Sequence, residues 1–190
     1  MGDLLDIGNG GVFDYDTSVV GVITAVDLAV DSLPLEGRPK NVTFIAGDAL
    51  KLPRPDATHD GVLMVMLLHH LVGRTWRDCT ANLDRAIAEA TRVLRPGGRL
   101  IVVESCVPRW FHLIEKLLYR PSRAVIERLI RHPPTFQFAV DTIAQTIERY
   151  CGSPPVIDRI PLGRFVLQYG VKFPSALTPV RAIRFVAQKV

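Results

Sequence analysis

The stretch that most constrains the fold is Leu4-Leu5-Asp6-Ile7-Gly8-Asn9-Gly10-Gly11, an apolar strand running straight into a glycine loop. Glycine lacks Cβ and enters positive φ freely. Such a loop turns tightly and brings backbone N–H groups close to a polar or charged ligand at the carboxyl end of the strand. A second apolar run, Val22-Ile23-Thr24-Ala25-Val26, ends in Asp27. In doubly wound α/β sheets an acid closing the second strand, about 20 residues past the glycine loop, accepts hydrogen bonds from ribose hydroxyls. Neither feature is specific alone; their order and spacing together point to a nucleoside-containing cofactor.

Apolar runs then alternate with segments of helical period, the pattern of a parallel sheet with helical crossovers. Asn41–Ala46, closed by Gly47-Asp48, reads as a third strand, and Val62–Leu68, apolar at every position, as a central one. His69 and His70 follow it directly. Thr80–Leu94 places Leu83, Ile87, Ala90 and Leu94 on one stripe of an amphipathic helix that Pro96-Gly97-Gly98 stops. A fifth strand, Arg99–Val103, ends at Glu104. From Val107 to His132 the composition turns aromatic and basic, with Pro121 dividing two helical pieces, so residues 107–138 are expected to form a cap within a single domain spanning 1–190. Val140, Ile143, Ala144 and Ile147 mark another helix. Val156–Ile160 and Ala182–Ala187 are late strands, and the long connection between them holds a short strand at Phe165–Tyr169, which suits an antiparallel finish.

A chain of 190 residues with 48% hydrophobic and 22% charged residues can bury a full core without disulfides, which excludes intrinsic disorder. The net charge of +4 is mild and acids are interspersed among the arginines, so nothing calls for nucleic acid. Arg109, Arg120, Arg123, Arg128 and Arg131 nevertheless fall in one short region. They read as a solvated helix face, or else as a patch for an anionic substrate or a membrane surface. Cys79, Cys106 and Cys151 have no ligand-like spacing, so no metal site is indicated. The longest apolar run, Val62–Leu68, is too short to span a bilayer, and no signal segment is recognisable. The expectation is a cytoplasmic protein with no transmembrane segment; the oligomeric state stays open.

Four stations at strand ends, Asp6-Ile7-Gly8-Asn9-Gly10, Asp27, Gly47-Asp48-Ala49 and Leu68-His69-His70-Leu71, combine with the run Arg92-Val93-Leu94-Arg95-Pro96-Gly97-Gly98-Arg99-Leu100. Together they resemble the class I S-adenosylmethionine-dependent methyltransferases over nearly the whole chain. The resemblance implies a Rossmann-like, doubly wound α/β fold with a mostly parallel sheet of about seven strands and an antiparallel last strand. It implies that Gly8, Asn9 and Gly10 lie under the methionine end of S-adenosylmethionine, with Asp6 supporting the loop or reaching the cofactor's amino group indirectly. Asp27 would bind the ribose hydroxyls and Leu28 pack on adenine. Asp48 would accept from the adenine amine, the Ala49 N–H would read a ring nitrogen, and Met64 and Val65 would present backbone to the methionine portion. Methyl transfer is an in-line displacement that needs chiefly alignment and dryness. An oxygen nucleophile also benefits from a base, for which His70 and then His69 are the candidates. Glu104 reads as a second candidate or as a helix-cap acceptor. Trp110, Phe111, Tyr119, Phe136 and Phe138 offer either acceptor surface or core.

Two departures bear on turnover. Relatives continue from the glycine loop into a long helix, whereas Val12–Ser18 has no helical stripe, so the first crossover helix is expected to be short or absent, and either Phe13 and Tyr15 line the cofactor differently or affinity is reduced. Relatives also carry lid helices before the first strand, and here that strand starts almost at Met1. The leading expectation is O- or C-methylation of a small apolar or aromatic acceptor, including a quinone-like or lipid one. The alternatives are a non-catalytic cofactor-binding or interaction protein on the same fold and, lower, an NAD-dependent oxidoreductase. The absence of an Asn-Pro-Pro-Tyr type motif after the fourth strand argues, by resemblance, against nucleic-acid methylation.

Overall fold

A computed structural model describes residues 2–32, 39–129, 134–168, 171–175 and 177–190, with the side chains of residues 32, 120, 122–129, 165–168, 171 and 173 outside the description. The strands are β1 (Asp3–Ile7), β2 (Val22–Asp27), β3 (Val42–Ala46), β4 (His59–Val65), β5 (Leu94–Val107), β6 (Phe138–Ala139), β7 (Val156–Ile160), β8 (Phe165–Gln168), β9 (Val171–Pro174) and β10 (Arg181–Gln188). The α-helices are α1 (Trp76–Val93), α2 (Arg109–Leu129) and α3 (Val140–Cys151). The main sheet runs β3-β2-β1-β4-β5-β10-β7 with the two-residue β6 against β5, and β8 pairs with β9 separately. Only β10 runs against its neighbours in the main sheet, between β5 and β7. The expected doubly wound, mostly parallel α/β fold is therefore the observed one, with its last strand antiparallel. The short strand expected from Phe165 is β8; Tyr169 lies outside the described residues.

Strands that are apolar on both faces need cover on both. On one face Leu5, Ile7, Val62, Met64, Leu100, Val102 and Phe185 pack against Leu83 and Ile87 of α1 and Ile143 and Ile147 of α3, all buried. On the other face Leu4, Ile23, Leu63 and Val20 form a smaller cluster flanked by Phe13, Tyr15, Val42, Val65 and Ile101. Among the described residues, none of that cluster belongs to an α-helix. The link between β1 and β2 contains only a 3-10 turn, Thr17–Val19, as its lack of helical period predicts. It is held instead by side chains. Phe13 meets Tyr15 and Phe44 edge-on at 5.8 and 6.0 Å. Asn41 Nδ2 donates to the carbonyls of Thr17 and Val20 at 2.8 and 2.9 Å.

Four boundaries differ from expectation. β4 ends at Val65 rather than Leu68, because Met66 takes the left-handed region (φ 51°) and turns the chain out of the sheet. Leu68 still reaches the core, through a 3-10 turn at Leu68–His70. α1 begins at Trp76 rather than Thr80, because Thr75 and Asp78 close a capping box. β5 extends beyond Arg99–Val103 at both ends, its first residues bonding across Gly97 and Gly98 to Lys189. α2 runs through Pro121 without being divided. The carbonyl that a proline deprives of its donor is that of Leu117, which is largely exposed, so water can satisfy it.

Candidate functional site

Parallel pairing sets the carboxyl ends of β1 to β5 along one edge. Ile7 stands opposite both Val26 and Met64, Asp27 opposite Ala46, and Val65 opposite Val103. The glycine loop, Asp27-Leu28, Gly47-Asp48-Ala49, Met64-Val65 and Glu104 consequently share that edge. Gly8 and Gly10 both have positive φ (72° and 62°). The Gly8 N–H donates to the Val26 carbonyl at 2.7 Å, and a Cβ on Gly8 would come within 2.6 Å of Leu67. Asp27 holds the edge together: Oδ2 accepts the Gly10 N–H at 3.0 Å, Oδ1 accepts the Ala29 N–H at 2.8 Å, and its carbonyl accepts the Gly47 N–H at 3.0 Å. A Cβ on Gly10 would meet nothing within 4 Å, and Leu28 beside it is 77% exposed. Asp48 is exposed, with Oδ1 accepting the Leu50 N–H at 2.8 Å, and Ala49 is buried.

Beneath the loop Asp6 is buried, and its Oδ2 accepts from Asn9 Nδ2 at 2.7 Å and from the Tyr15 hydroxyl at 2.8 Å. Asn9 Nδ2 also donates to the Val12 carbonyl, and Asn9 Oδ1 accepts the Gly11 N–H at 3.0 Å. Desolvation pushes the Asp6 carboxyl up to about 6, against the two hydrogen bonds that favour its ionised form. Burial, followed by the Asp6 charge, raises the Tyr15 phenol. The pairing of Tyr15 with Asp6 is the part of this knot that the sequence does not signal.

A second knot lies at the ends of β4 and β5. Glu104 is fully buried; Oε2 accepts the Leu68 N–H at 2.6 Å and the His69 N–H at 3.4 Å, so it caps the turn. Its Oε1 accepts from His69 Nδ1 at 2.6 Å and from the Ser105 N–H at 2.7 Å. A carboxylate partner fixes the tautomer with hydrogen on Nδ1. His70 is exposed, its ring 4.1 Å from that of His69. Ser105 Oγ donates to Gln137 Oε1 at 2.9 Å, and the Gln137 carbonyl accepts from His112 Nδ1 at 2.8 Å. His112 Nε2 is then a buried acceptor with no hydrogen-bond partner among the described residues, and desolvation lowers the pKa of this ring. Three of the aromatic candidates, Tyr119, Phe136 and Phe138, are core behind the turn. Phe136 N–H donates to the His69 carbonyl at 3.0 Å, and the Tyr119 hydroxyl donates to the Gly73 carbonyl at 2.9 Å. Phe111 is half-buried and Trp110 exposed. Of the basic cluster, Arg131 and the side chains of Arg120, Arg123 and Arg128 lie outside the described residues, and Arg109 pairs with Asp141.

The chain is also similar in sequence and fold to known proteins. The chain is 28% identical over 146 residues to the demethylmenaquinone methyltransferase of Paenarthrobacter aurescens, covering 74% of this chain and 54% of that protein. It is 30% identical over 154 residues to the enzyme of that name from Tropheryma whipplei, covering 77% and 59%. The chain thus spans little more than half the length of these curated relatives. A solved SAM-dependent methyltransferase from Methanosarcina mazei superposes with a TM-score of 0.60 at 18% identity, covering 99% of this chain and 92% of that one. A family model described as a methyltransferase domain matches residues 5–102, and the chain belongs to that family, the class I S-adenosylmethionine-dependent methyltransferases.

Proposed function

We propose that this chain transfers a methyl group from S-adenosylmethionine to a small apolar or aromatic acceptor, by O- or C-methylation. The observation that carries the reading is the single sheet edge at which the Gly8–Gly11 loop, Asp27 and Asp48 converge beside open space over Gly10. The donor set suits an adenosyl sulfonium. Each Asp27 oxygen has one backbone donor and a lone pair to spare for a ribose hydroxyl. Exposed Leu28 offers a flat apolar contact for a purine, Asp48 Oδ2 an acceptor for its amine, and the Ala49 N–H a donor for a ring nitrogen. Gly8, Asn9 and Gly10, with the backbone of Met64 and Val65, would hold the methionine end, Asp6 keeping the loop in shape through Asn9. When bound, the cofactor supplies an electrophilic methyl for in-line displacement; what the protein adds is alignment and exclusion of water. For an oxygen nucleophile, exposed His70 is the ring that would take the proton, and His69, locked by Glu104, is the positioned neighbour that backs it. The relatives named demethylmenaquinone methyltransferases favour a quinone-like acceptor.

Calorimetry with S-adenosylmethionine and its demethylated product tests the reading. Asp27→Ala removes the ribose partner and the carboxylate oxygens that accept the Gly10 and Ala29 N–H groups, so affinity should fall about tenfold to a hundredfold, the worth of one hydrogen bond to a charged group, while the unfolding transition remains cooperative. Unchanged affinity removes Asp27 from the site. The helix-free β1–β2 link supplies no helix N-terminus to the loop, which favours a second reading, a cofactor binder without turnover. Tight binding with no methyl transfer to quinone-like, phenolic or prenyl acceptors selects it.

A further inference from the structure

The outer face of α2 is apolar where a surface helix is ordinarily polar. Trp110, Leu113, Ile114, Leu117 and Leu118 recur at helical spacing and are each between 45% and 81% exposed. The inner face is already engaged. His112 reaches the Gln137 carbonyl, Glu115 accepts the Gln137 N–H, and Tyr119 is buried against Gly73 and Phe136. The stripe is therefore a second apolar face, not a displaced core face, and five large side chains in one contiguous row mark an interaction surface.

Charge identifies the partner. The segment 109–129 carries five basic residues, Arg109, Lys116, Arg120, Arg123 and Arg128, against two acids, Glu115 and Glu127. Beside the stripe, and sharing Leu117 with it, lies a recess of about 520 Å³ whose walls include Trp76, Arg77 and Lys116. The Arg77 guanidinium and the Lys116 ammonium sit 5.3 and 5.1 Å from the centroid of the Trp76 ring. Asp78, also in its wall, is held by the Thr75 N–H at 2.8 Å in the cap of α1. An indole flanked by two cations next to an apolar row is the side-chain set of a bilayer interface: acyl chains against the leucines, the ring at headgroup depth, the cations on phosphate. α2 is amphipathic, and no described helix is long and apolar enough to cross a membrane, so a helix lying in the interface is the geometry that fits.

We propose that α2 docks this domain on an anionic lipid surface, its apolar row in the acyl boundary and the Trp76-Arg77-Lys116 recess on a headgroup phosphate. The proposal rests on the methyl-transfer reading for its purpose. β5 delivers α2 directly from the edge that carries Glu104 and His69, so a lipid-soluble acceptor enters beside the site without crossing water. It does not rest on that reading for the binding itself.

Trp76 and Trp110 are the chain's two tryptophans, so intrinsic fluorescence reports this surface alone. Vesicles of equal parts phosphatidylglycerol and phosphatidylcholine should sediment the protein and shift its emission to the blue, and vesicles of phosphatidylcholine alone should do so far less. The double variant Leu113→Asp, Leu117→Asp should lose vesicle affinity on the order of a hundredfold, and Arg77→Gln and Lys116→Gln about fivefold each. Cofactor affinity by calorimetry and the thermal midpoint should stay at wild-type values in every variant, because these side chains lie at the surface. Equal binding to both vesicle types, or binding unchanged in the double variant, overturns the proposal. So does a stripe-dependent dimer in sedimentation equilibrium with no vesicle binding, which gives the face to a second copy. Loss of cofactor binding in wild-type protein strikes the methyl-transfer reading and leaves the vesicle result standing.

Discussion

The two faces of the sheet start from equally apolar strands and are closed by different means. On one, α1 and α3 lay Leu83, Ile87, Ile143 and Ile147 over the strands, and the cover is a matter of volume and area. On the other, the residues between β1 and β2 form a folded loop whose shape depends on a buried carboxylate, an amide and a phenol: Asp6, Asn9 and Tyr15. Helical cover satisfies its own backbone internally, whereas a loop laid on a core must find side-chain partners for its polar groups. The loop-covered face is also the one directly under the glycine turn. Whatever fixes Asp6 therefore fixes the path of Gly8–Gly11, and stability is coupled there to the shape of the proposed cofactor loop as it is not under α1.

The largest effect separating the faces belongs to the helical one. Leu83→Ala in α1 empties a fully buried position packed between helix and strands, and is expected to cost about 2–5 kcal/mol in urea unfolding. Phe13→Ala removes a ring that is only half-buried, and should cost distinctly less while weakening cofactor binding. Equal losses of stability at the two positions break the comparison.

The same contrast explains what was legible in the sequence. The α1 stripe, the apolar runs of β1 to β4 and the acids closing β2 and β3 repeat at short, regular intervals, and period alone recovers them with the parallel order they imply. Glycine loop, Asp27 and Asp48 then fall on one edge because parallel strands end together. Tyr15 carries no such signal, since its partner Asp6 lies nine residues back across a non-periodic loop and only the folded path brings them to 2.8 Å. Glu104 and His69 are 35 positions apart and meet through the pairing of β4 with β5. The Thr75-x-x-Asp78 spacing fits a capping box, but the apolar stripe that predicts the helix begins only at Thr80. Pro121 misled because the rule against interior proline holds where the orphaned carbonyl is buried, and here it is at the surface.

A medium-sized effect sharpens the coupling through pH. In the folded protein Asp6 keeps its proton up to about 6, whereas the unfolded chain releases it near 3.8. Between those values the native state binds more protons than the unfolded one, so this group makes stability fall as pH rises through the window, with the full cost present above it. The gap between 3.8 and about 6 corresponds to about 3 kcal/mol. Asp6→Asn keeps an oxygen acceptor and cannot ionise. The difference in unfolding free energy between variant and wild type, followed in urea from below 3.8 to above 6, should therefore move by on the order of 2–3 kcal/mol in favour of the variant. A difference flat with pH places Asp6 in water.

The smallest effect compares like with like, because each face has a tyrosine bonded to an aspartate. Tyr15 donates to buried Asp6 under the loop; Tyr150 of α3 donates to Asp84 of α1 at the solvent-facing seam between the two helices. Tyr150→Phe should change stability by less than about 0.5 kcal/mol, since Asp84 is only half-buried, keeps its Arg149 partner and can take water in place of the lost donor. Tyr15→Phe leaves Asp6 with the Asn9 amide as its side-chain donor, and should cost about 1–2 kcal/mol at neutral pH, where the carboxylate is ionised and partly stripped of partners. Because the lost bond favoured the ionised form, the same variant should carry the Asp6 titration above about 6 and shift the pH window of instability upward with it. Tyr15→Phe matching Tyr150→Phe in both stability and pH profile means that the ring of Tyr15, through its packing on Phe13, holds the loop, and that the phenol is incidental to the cover of this face.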